Sequence, residues 1–168
     1  MRTFKFAAAT LSLLALSGCV RLEASPPETP STGVSTSKGE CTQPGGISIS
    51  IERESIESFC VQGFTGTSWK LLETVATIRG TDDYPDSFVC QINGWPKPSD
   101  NDCSSSSSDF GYWNYYLSDG STWQVANEGA ATHVPSCGSA EAWKWISGPW
   151  TEAVDYPSVT PKVYSCED

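Results

Sequence analysis

Six cysteines between residues 41 and 166 constrain the fold of this chain more than any other feature. In an exported domain, an even number of cysteines predicts disulfide bonds, here three. Six cysteines allow fifteen pairings, and joining sequence neighbours across single turns or hairpins pairs Cys41 with Cys60, Cys90 with Cys103, and Cys137 with Cys166. Each bond would close a short loop and contribute about 3 kcal/mol. The alternative, a zinc site, lacks Cys-x-x-Cys spacing and has one histidine, His133, available to it.

The N-terminal residues indicate that the chain is exported as a lipoprotein. Two basic residues lie near the start of the chain. The apolar segment 6–16 that follows them is shorter than the roughly 20 residues that a membrane-spanning helix needs. A Leu-Ser-Gly-Cys sequence ending at Cys19 is typical of a lipobox, in which the cysteine thiol is lipidated before cleavage. We expect residues 1–18 to be removed as a signal peptide, and the lipid on Cys19, palmitate included, to anchor the protein on the extracytoplasmic face of the cell membrane. An ordinary secretory signal with a chance cysteine is the alternative.

Removal of the signal peptide would leave 150 residues, which suffice for one domain with its own core. Residues 19–40 are rich in Ser, Thr, Pro and Gly and contain too few apolar groups to offset the entropy of ordering. They predict a disordered tether. The folded domain is predicted over residues 41–168.

Acidic residues outnumber basic residues in the expected mature chain. The whole sequence has twenty acidic and ten basic residues, of which residues 1–18 contain two basic and no acidic ones. Twelve more negative than positive charges are left, which argues against nucleic acid and anionic surfaces as partners. Such a charge is otherwise typical of solubility and identifies no ligand.

Alternating apolar and polar residues predict short strands over residues 47–51, 59–61, 87–92, 112–117, 123–125 and 141–146. One helix is predicted over residues 67–77, where apolar residues recur at helical spacing after hydroxyl side chains that can act as N-caps. Asn93-Gly94 predicts a tight turn. One helix among several strands is an α+β arrangement.

A series of short motifs resembles one known family. In chain order these motifs are Phe88-Val89-Cys90-Gln91-Ile92-Asn93-Gly94, Cys103, Tyr112-Trp113-Asn114-Tyr115-Tyr116, Trp123, Gly129-Ala130, Pro135 and Gly138-Ser139-Ala140-Glu141-Ala142-Trp143. Their order and spacing, over residues 45–147, are similar to those of the transcobalamin C-terminal-like domain family of bacterial exported proteins. The resemblance implies a β-grasp-like fold, in which a curved mixed sheet packs on one helix.

The same resemblance implies ligand binding. In animal transcobalamins the similar domain closes over cobalamin beside a larger helical domain, and some bacterial relatives are associated with vitamin uptake systems. We expect no such helical domain in this chain. The other half of a cobalamin pocket would then have to come from another protein.

Seven tryptophans supply candidates for the core and for a binding surface. Large aromatic residues serve cores first, and the predicted core tryptophans are Trp69, Trp113, Trp143 and Trp145. The ligand-binding candidates lie next to turns or prolines and would form an exposed surface for a flat ligand or a partner: Trp95, Trp123 and Trp150. Alternatively, these three residues cover edges of the core.

No combination of residues in the sequence predicts catalysis. General acid and base chemistry needs a partnered histidine or a carboxylate pair in a dry pocket, and the sequence shows no partner for His133, which we expect in a surface loop. Two acidic groups could surround a calcium ion but lack the EF-hand pattern, so they are expected to be solvated loops: Asp82 with Asp83 and Asp86, and Asp100 with Asp102. No metal, cofactor or catalytic residue is therefore predicted.

The predicted function is that of a non-catalytic, lipid-anchored module that binds a cobalamin-like or other small ligand as an accessory to an uptake system. The alternative is a surface module that contacts another protein or the cell wall without a small ligand. A hydrolase is the third candidate and has the least support in the sequence.

Overall fold

A computed structural model describes residues 33–106, 109–118, 120–164 and 166. The elements in these residues are β1 (Ser35–Lys38), β2 (Ile47–Glu52), β3 (Ile56–Gln62), α1 (Ser68–Glu73), β4 (Ile78–Gly80), β5 (Val89–Ile92), β6 (Gly111–Ser118), β7 (Gln124–Val125) and β8 (Ala140–Ser147).

Six strands form one mixed sheet in the order β1-β3-β2-β8-β6-β7. Neighbouring strands are antiparallel except β2 and β8, which run parallel with Ile51 opposite Trp143. β4 and β5 form a separate antiparallel pair. The described part of the protein is therefore an α+β fold with a mixed sheet and one short helix, as the sequence predicts.

One face of the sheet, the helix face, packs against α1 and the β4–β5 pair. The alternation in β2 directs its three isoleucines to this face, and they lie in one core with Leu71 and Leu72 of α1. The predicted burial of Trp69, Trp113 and Trp143 is confirmed. Trp145 is half-buried and packs against the edge of the same core.

The opposite face of the sheet is covered by the last part of the chain, residues 149–164 and Cys166, which we call the C-terminal strap. Ser158 donates two hydrogen bonds of 2.7 Å to the Glu52 carboxylate, from its main-chain nitrogen and from its hydroxyl. Lys144 Nζ lies 3.2 Å from Glu52 Oε1 and 2.8 Å from Asp155 Oδ1. All six residues of β2 are buried, with Glu52 covered by the strap, whereas its alternating sequence predicts a strand with one solvated face.

The strap also closes a second apolar cluster on this face. Tyr116 and Trp123 lie in this cluster, with Val159 and Val163 of the strap packed against it. Tyr116 Oη donates a hydrogen bond of 2.7 Å to the Asp155 carbonyl, and Trp123 Nε1 donates one of 2.6 Å to the Val159 carbonyl. Tyr116 and Trp123 thus satisfy their polar atoms through carbonyl groups of the strap.

The three predicted disulfide bonds are confirmed: Cys41 with Cys60, Cys90 with Cys103, and Cys137 with Cys166. The first connects the loop before β2 to β3, the second connects β5 to the loop that follows it, and the third connects the loop before β8 to the strap. All six cysteines are thus paired with each other, and the zinc alternative is wrong.

The helix is shorter than predicted, because α1 ends at Glu73 and β4 begins at Ile78. Thr74 follows the helix, and both its main-chain nitrogen and its hydroxyl donate to the Leu71 carbonyl, three residues back. A hydroxyl that bonds the preceding turn competes with continued helix. The predicted strands are confirmed with ends shifted by at most three residues, while β1 and β4 have no counterpart in the prediction.

The expected tether of residues 19–40 is wrong at its C-terminal end. Ser35–Lys38 form β1 and pair with β3, with Ser37 opposite Cys60. All four residues of β1 are exposed, so this strand is held by main-chain pairing, which the composition of a segment does not reveal. Cys19, the signal peptide and the rest of the expected tether to residue 32 lie outside the described residues.

Candidate functional site

A buried polar pair lies between the helix and the sheet. Glu141 is the second residue of β8, and strand alternation directs it to the helix face together with Trp143. Ser68, the first residue of α1, donates a hydrogen bond of 2.6 Å from its hydroxyl to Glu141 Oε1. The exposed fraction is 0 % for Ser68 and 1 % for Glu141.

Burial raises the pKa of the Glu141 carboxyl to about 7, although the hydrogen bond from Ser68, the Tyr115 hydroxyl and the charge of His133 act in the opposite direction. Tyr115 is adjacent to this carboxyl without forming a hydrogen bond of good geometry. Within the described residues, neither Tyr115 Oη nor Glu141 Oε2 has a hydrogen-bond partner. The carboxyl therefore changes its protonation near neutral pH and retains one unused oxygen.

His133 connects this buried carboxyl to the surface. Its Nδ1 lies 2.9 Å from Glu128 Oε1, and its Nε2 lies 3.8 Å from Glu141 Oε1. The ring meets the Tyr115 ring edge-on, with centroids 6.3 Å apart. The sequence shows no partner for His133, whereas in the structure two carboxylates flank it. Its position in a loop is as expected, and its side chain is 21 % exposed.

Main-chain hydrogen bonds hold the His133 loop, residues 128–136, against the start of α1. The Ser68 nitrogen donates to the His133 carbonyl at 2.9 Å, and the Trp69 nitrogen donates to the Ala130 carbonyl at 2.8 Å. These nitrogens belong to the first turn, where a helix has no internal acceptors. Thr67 makes no side-chain capping bond, so the predicted capping by a hydroxyl is replaced by carbonyls of a distant loop.

A cleft of about 280 Å³ opens beside His133. Its walls are formed by the His133 loop, the start of β8, the end of β6 and the strap. The strap residue in the wall is Val163. Polar side chains that can donate or accept hydrogen bonds line much of the cleft: Ser118, Gln124, His133, Ser136 and Ser139. The rest of the lining is apolar, so the cleft suits a small ligand with both apolar and polar groups.

A wider groove of about 650 Å³ adjoins this cleft, since Gln124 lines both. Trp123 forms part of its wall, and Tyr156 and Pro157 of the strap face it. On the helix face, a smaller cleft of about 150 Å³ is lined by Glu128 and by aromatic side chains that include Tyr115. The contact of His133 Nδ1 with Glu128 therefore links the walls of two clefts.

Two of the three tryptophans predicted as binding residues differ sharply in exposure. Trp123 is 8 % exposed and donates its indole hydrogen to the strap, so its expected position on an exposed surface is wrong. The strap covers it, and only an edge of the residue reaches the groove beside Gln124. Trp150 is 70 % exposed, as expected of a surface residue.

The third candidate, Trp95, is half-buried and belongs to an aromatic cluster at the end of the sheet opposite His133. Its ring lies 6.3 Å from the Phe110 ring and 6.4 Å from the Trp145 ring, and Arg53 lies over it at 5.1 Å from the centroid. Its carbonyl accepts a hydrogen bond from Trp113 Nε1. Trp95 thus covers the edge of the core and presents part of its ring to a cationic neighbour.

The described residues contain no group of three or more His, Cys, Asp or Glu side chains that could hold a metal ion. In the same part of the chain, no helix is both long and apolar enough to cross a membrane.

Sequence reasoning missed the buried members of this site, Ser68, Tyr115 and Glu141, and the partner carboxylate Glu128. One signal was available for Glu141. Glu141 lies two and four residues before Trp143 and Trp145, so strand alternation places this acidic residue on the same core-facing side as the two tryptophans. A charge in such a row needs partners, and the identity of these partners is a matter of tertiary structure.

No protein-family model, curated protein or solved structure matches this chain. The likeness to transcobalamin C-terminal-like domains therefore rests on the short motifs alone.

Proposed function

We propose that this protein is an extracytoplasmic lipoprotein, anchored through lipid on Cys19, whose β-grasp-like domain binds a small ligand and does not catalyse a reaction. The single observation that carries the proposal is the cleft beside His133, where imidazole, amide and hydroxyl groups converge on one concave surface. Ligand sites are concave and contain a few convergent polar groups of this kind.

The contacts of Ser68 support binding over hydrolysis. A serine nucleophile passes its proton to a histidine and must reach the substrate. Ser68 instead donates a hydrogen bond to Glu141 and is buried, and within the described residues its hydroxyl makes no hydrogen bond to the His133 ring. The arrangement matches a structural role for Ser68, in which its hydroxyl supports the buried carboxyl.

Size and charge narrow the ligand class. At about 280 Å³ the cleft is at the lower end of ligand pockets, so it fits a small molecule or one edge of a larger one. The Glu128 carboxylate contacts His133 Nδ1, which favours a neutral or cationic group at this point over an anion. A cobalamin-like ligand could insert an amide side chain here and lie along the wider groove beyond Gln124, with a second protein covering its outer side.

Calorimetric titration with cyanocobalamin tests this proposal. We expect the wild type to bind, and Ser136→Trp, which fills the cleft with a large ring, to weaken binding at least about tenfold, which corresponds to roughly 1.4 kcal/mol. Ser55→Trp is the matched control, because Ser55 is exposed between β2 and β3 at the other end of the sheet. If the wild type gives no heat of binding with cyanocobalamin, the corrinoid assignment is contradicted. If both variants bind as tightly as each other, the cleft is not the binding site.

The aromatic end of the sheet supports the second candidate, a surface that contacts another protein. Phe110 is 40 % exposed beside Trp95 and Arg53, and aromatic residues with arginine are enriched at protein interfaces. A photo-crosslinking amino acid in place of Phe110 or of Ser136, in cells, distinguishes the two functions. Crosslinks to a protein from position 110 but none from 136 would favour the second candidate, and crosslinks from position 136 would favour a partner that completes the ligand cleft.

A further inference from the structure

The disulfide between Cys137 and Cys166 differs from the other two in its exposure. Both partners are buried in the other pairs: Cys41 with Cys60, and Cys90 with Cys103. In contrast, Cys137 is exposed and Cys166 is half-buried. Cys137 also lines the cleft beside His133, which gives a reagent in the cleft a path to its sulfur. Because thiol–disulfide exchange depends on access to the attacked sulfur, this bond is the one open to exchange.

The same disulfide is the strongest link between the end of the strap and the rest of the domain. Residues 155–159 are held independently, through the contacts of Ser158 with Glu52 and of Asp155 with Lys144. Beyond Val159, the other contacts that the described residues show are one main-chain hydrogen bond from the Tyr164 nitrogen to the Gly138 carbonyl, the burial of Pro161, the packing of Val163, and an ion pair of Lys162 with Glu40. Lys162 is largely exposed, and ion pairs at the surface contribute little.

We propose that Cys137–Cys166 is a site of thiol–disulfide exchange with an extracytoplasmic dithiol protein, and that its reduction detaches residues 160–164 and Cys166 from the domain. A thiolate of the partner attacks Cys137 Sγ and forms a mixed disulfide, and Cys166 leaves as a thiolate that takes a proton from water. The second thiolate of the partner then attacks the sulfur of the partner's own first cysteine, and Cys137 leaves and is protonated. The protein disulfide gains two electrons and two protons, while the partner dithiol is oxidised to a disulfide.

Detachment would change the cleft. Val163 forms one wall of the cleft and packs on the cluster that contains Tyr116 and Trp123. Once the end of the strap leaves, the cleft loses that wall and the cluster gains exposure to solvent. Oxidation closes the wall again, because Gly138 brings the loop close to Tyr164 and holds the two cysteines in register. The inference concerns the disulfide itself and holds whether or not the cleft binds a corrinoid.

Graded reduction of the oxidised full chain tests the first half of the proposal. After each dose of dithiothreitol, new thiols are blocked with N-ethylmaleimide, and the remaining disulfides are reduced and labelled with iodoacetamide before peptide mass spectrometry. We expect Cys137 and Cys166 to carry N-ethylmaleimide at a dithiothreitol dose on the order of tenfold below the dose needed for the other two disulfides. Cys90–Cys103 is the internal control, and its opening together with or before Cys137–Cys166 would overturn the proposal.

Hydrogen exchange of the double variant Cys137→Ser with Cys166→Ser tests the second half. We expect the amide of Tyr164 to lose protection while the amide of Ser158, bonded to Glu52, keeps it. Lys162→Gln is the matched control, because it removes only the ion pair and should leave Tyr164 protected. The wild type opened with dithiothreitol gives the same comparison if the double variant folds poorly. Protection of Tyr164 in the absence of the disulfide would overturn the detachment.

Discussion

The Ser68 hydroxyl lies 2.6 Å from Glu141 Oε1 although 73 residues separate the two in the chain. This contact joins the start of the helix to the row of β8 that faces the core. It places a carboxyl among apolar side chains, where the charged form is disfavoured. The pKa of Glu141 is therefore the property of the site most open to measurement.

Glu141→Gln should remove a dependence of stability on pH. The pKa of Glu141 is about 7 in the folded protein against 4.5 ordinarily. The folded state thus binds the proton more tightly, and the stability contributed by the protonated carboxyl is lost as pH rises between these values, by about 3 kcal/mol in total. In urea unfolding, the free energy of unfolding of the wild type, relative to that of the variant, should fall by this amount as pH rises between the two pKa values. Glu57→Gln, on the exposed side of β3, is the control, and parallel pH profiles for wild type and Glu141→Gln would contradict the prediction.

Trp123→Ala should destabilise the protein by about 3 to 5 kcal/mol, because it empties a buried aromatic site and leaves the Val159 carbonyl without its donor. Trp150→Ala should change stability by less than about 0.5 kcal/mol, because Trp150 is largely exposed. Thermal unfolding of both variants measures the difference. Equal midpoints would mean that the strap does not cover Trp123 in solution.

Lys144→Ala should cost about 3 to 5 kcal/mol, because it leaves the buried carboxylate of Glu52 without its cation. Burial works against the charge of Lys144, but the carboxylates of Asp155 and Glu52 outweigh it and raise the lysine pKa. The matched variant is Lys162→Ala, which breaks the surface pair with Glu40 and should cost less than about 1 kcal/mol. Chemical denaturation of the two variants gives the comparison, and a cost for Lys144→Ala as small as that for Lys162→Ala would show that the strap does not depend on this network.

Cys19→Ser should release the protein from membranes, because it removes the thiol that receives the lipid. Fractionation of cells that express the wild type or the variant measures this, with mass spectrometry of the wild-type N-terminal peptide to detect the acyl groups. A wild-type peptide without added acyl mass, or a variant that still sediments with membranes, would contradict the lipoprotein assignment.

Local pattern was sufficient to predict most strands and all three disulfides. The alternation in β2 and β6 is a property of neighbouring residues, since a strand turns successive side chains to opposite faces. Pairing sequence neighbours was correct for all three disulfides. Cys41–Cys60 and Cys90–Cys103 each close one hairpin or loop, whereas Cys137 and Cys166, 29 residues apart, meet because the strap returns to the loop before β8. Asn93-Gly94 likewise adopts the two positive φ angles that its turn requires.

Tertiary structure alone decided where the polar side chains of these strands find partners. Nothing local to Glu52 shows that Ser158 and Lys144 will cover it, and nothing local to Glu141 identifies Ser68 or His133 as its neighbours. The exposure of Trp123 was mispredicted for the same reason, because the strap that buries it comes from residues more than thirty positions away. Periodicity determines which face of a strand a side chain occupies, whereas its burial and pKa depend on what the rest of the chain packs against that face.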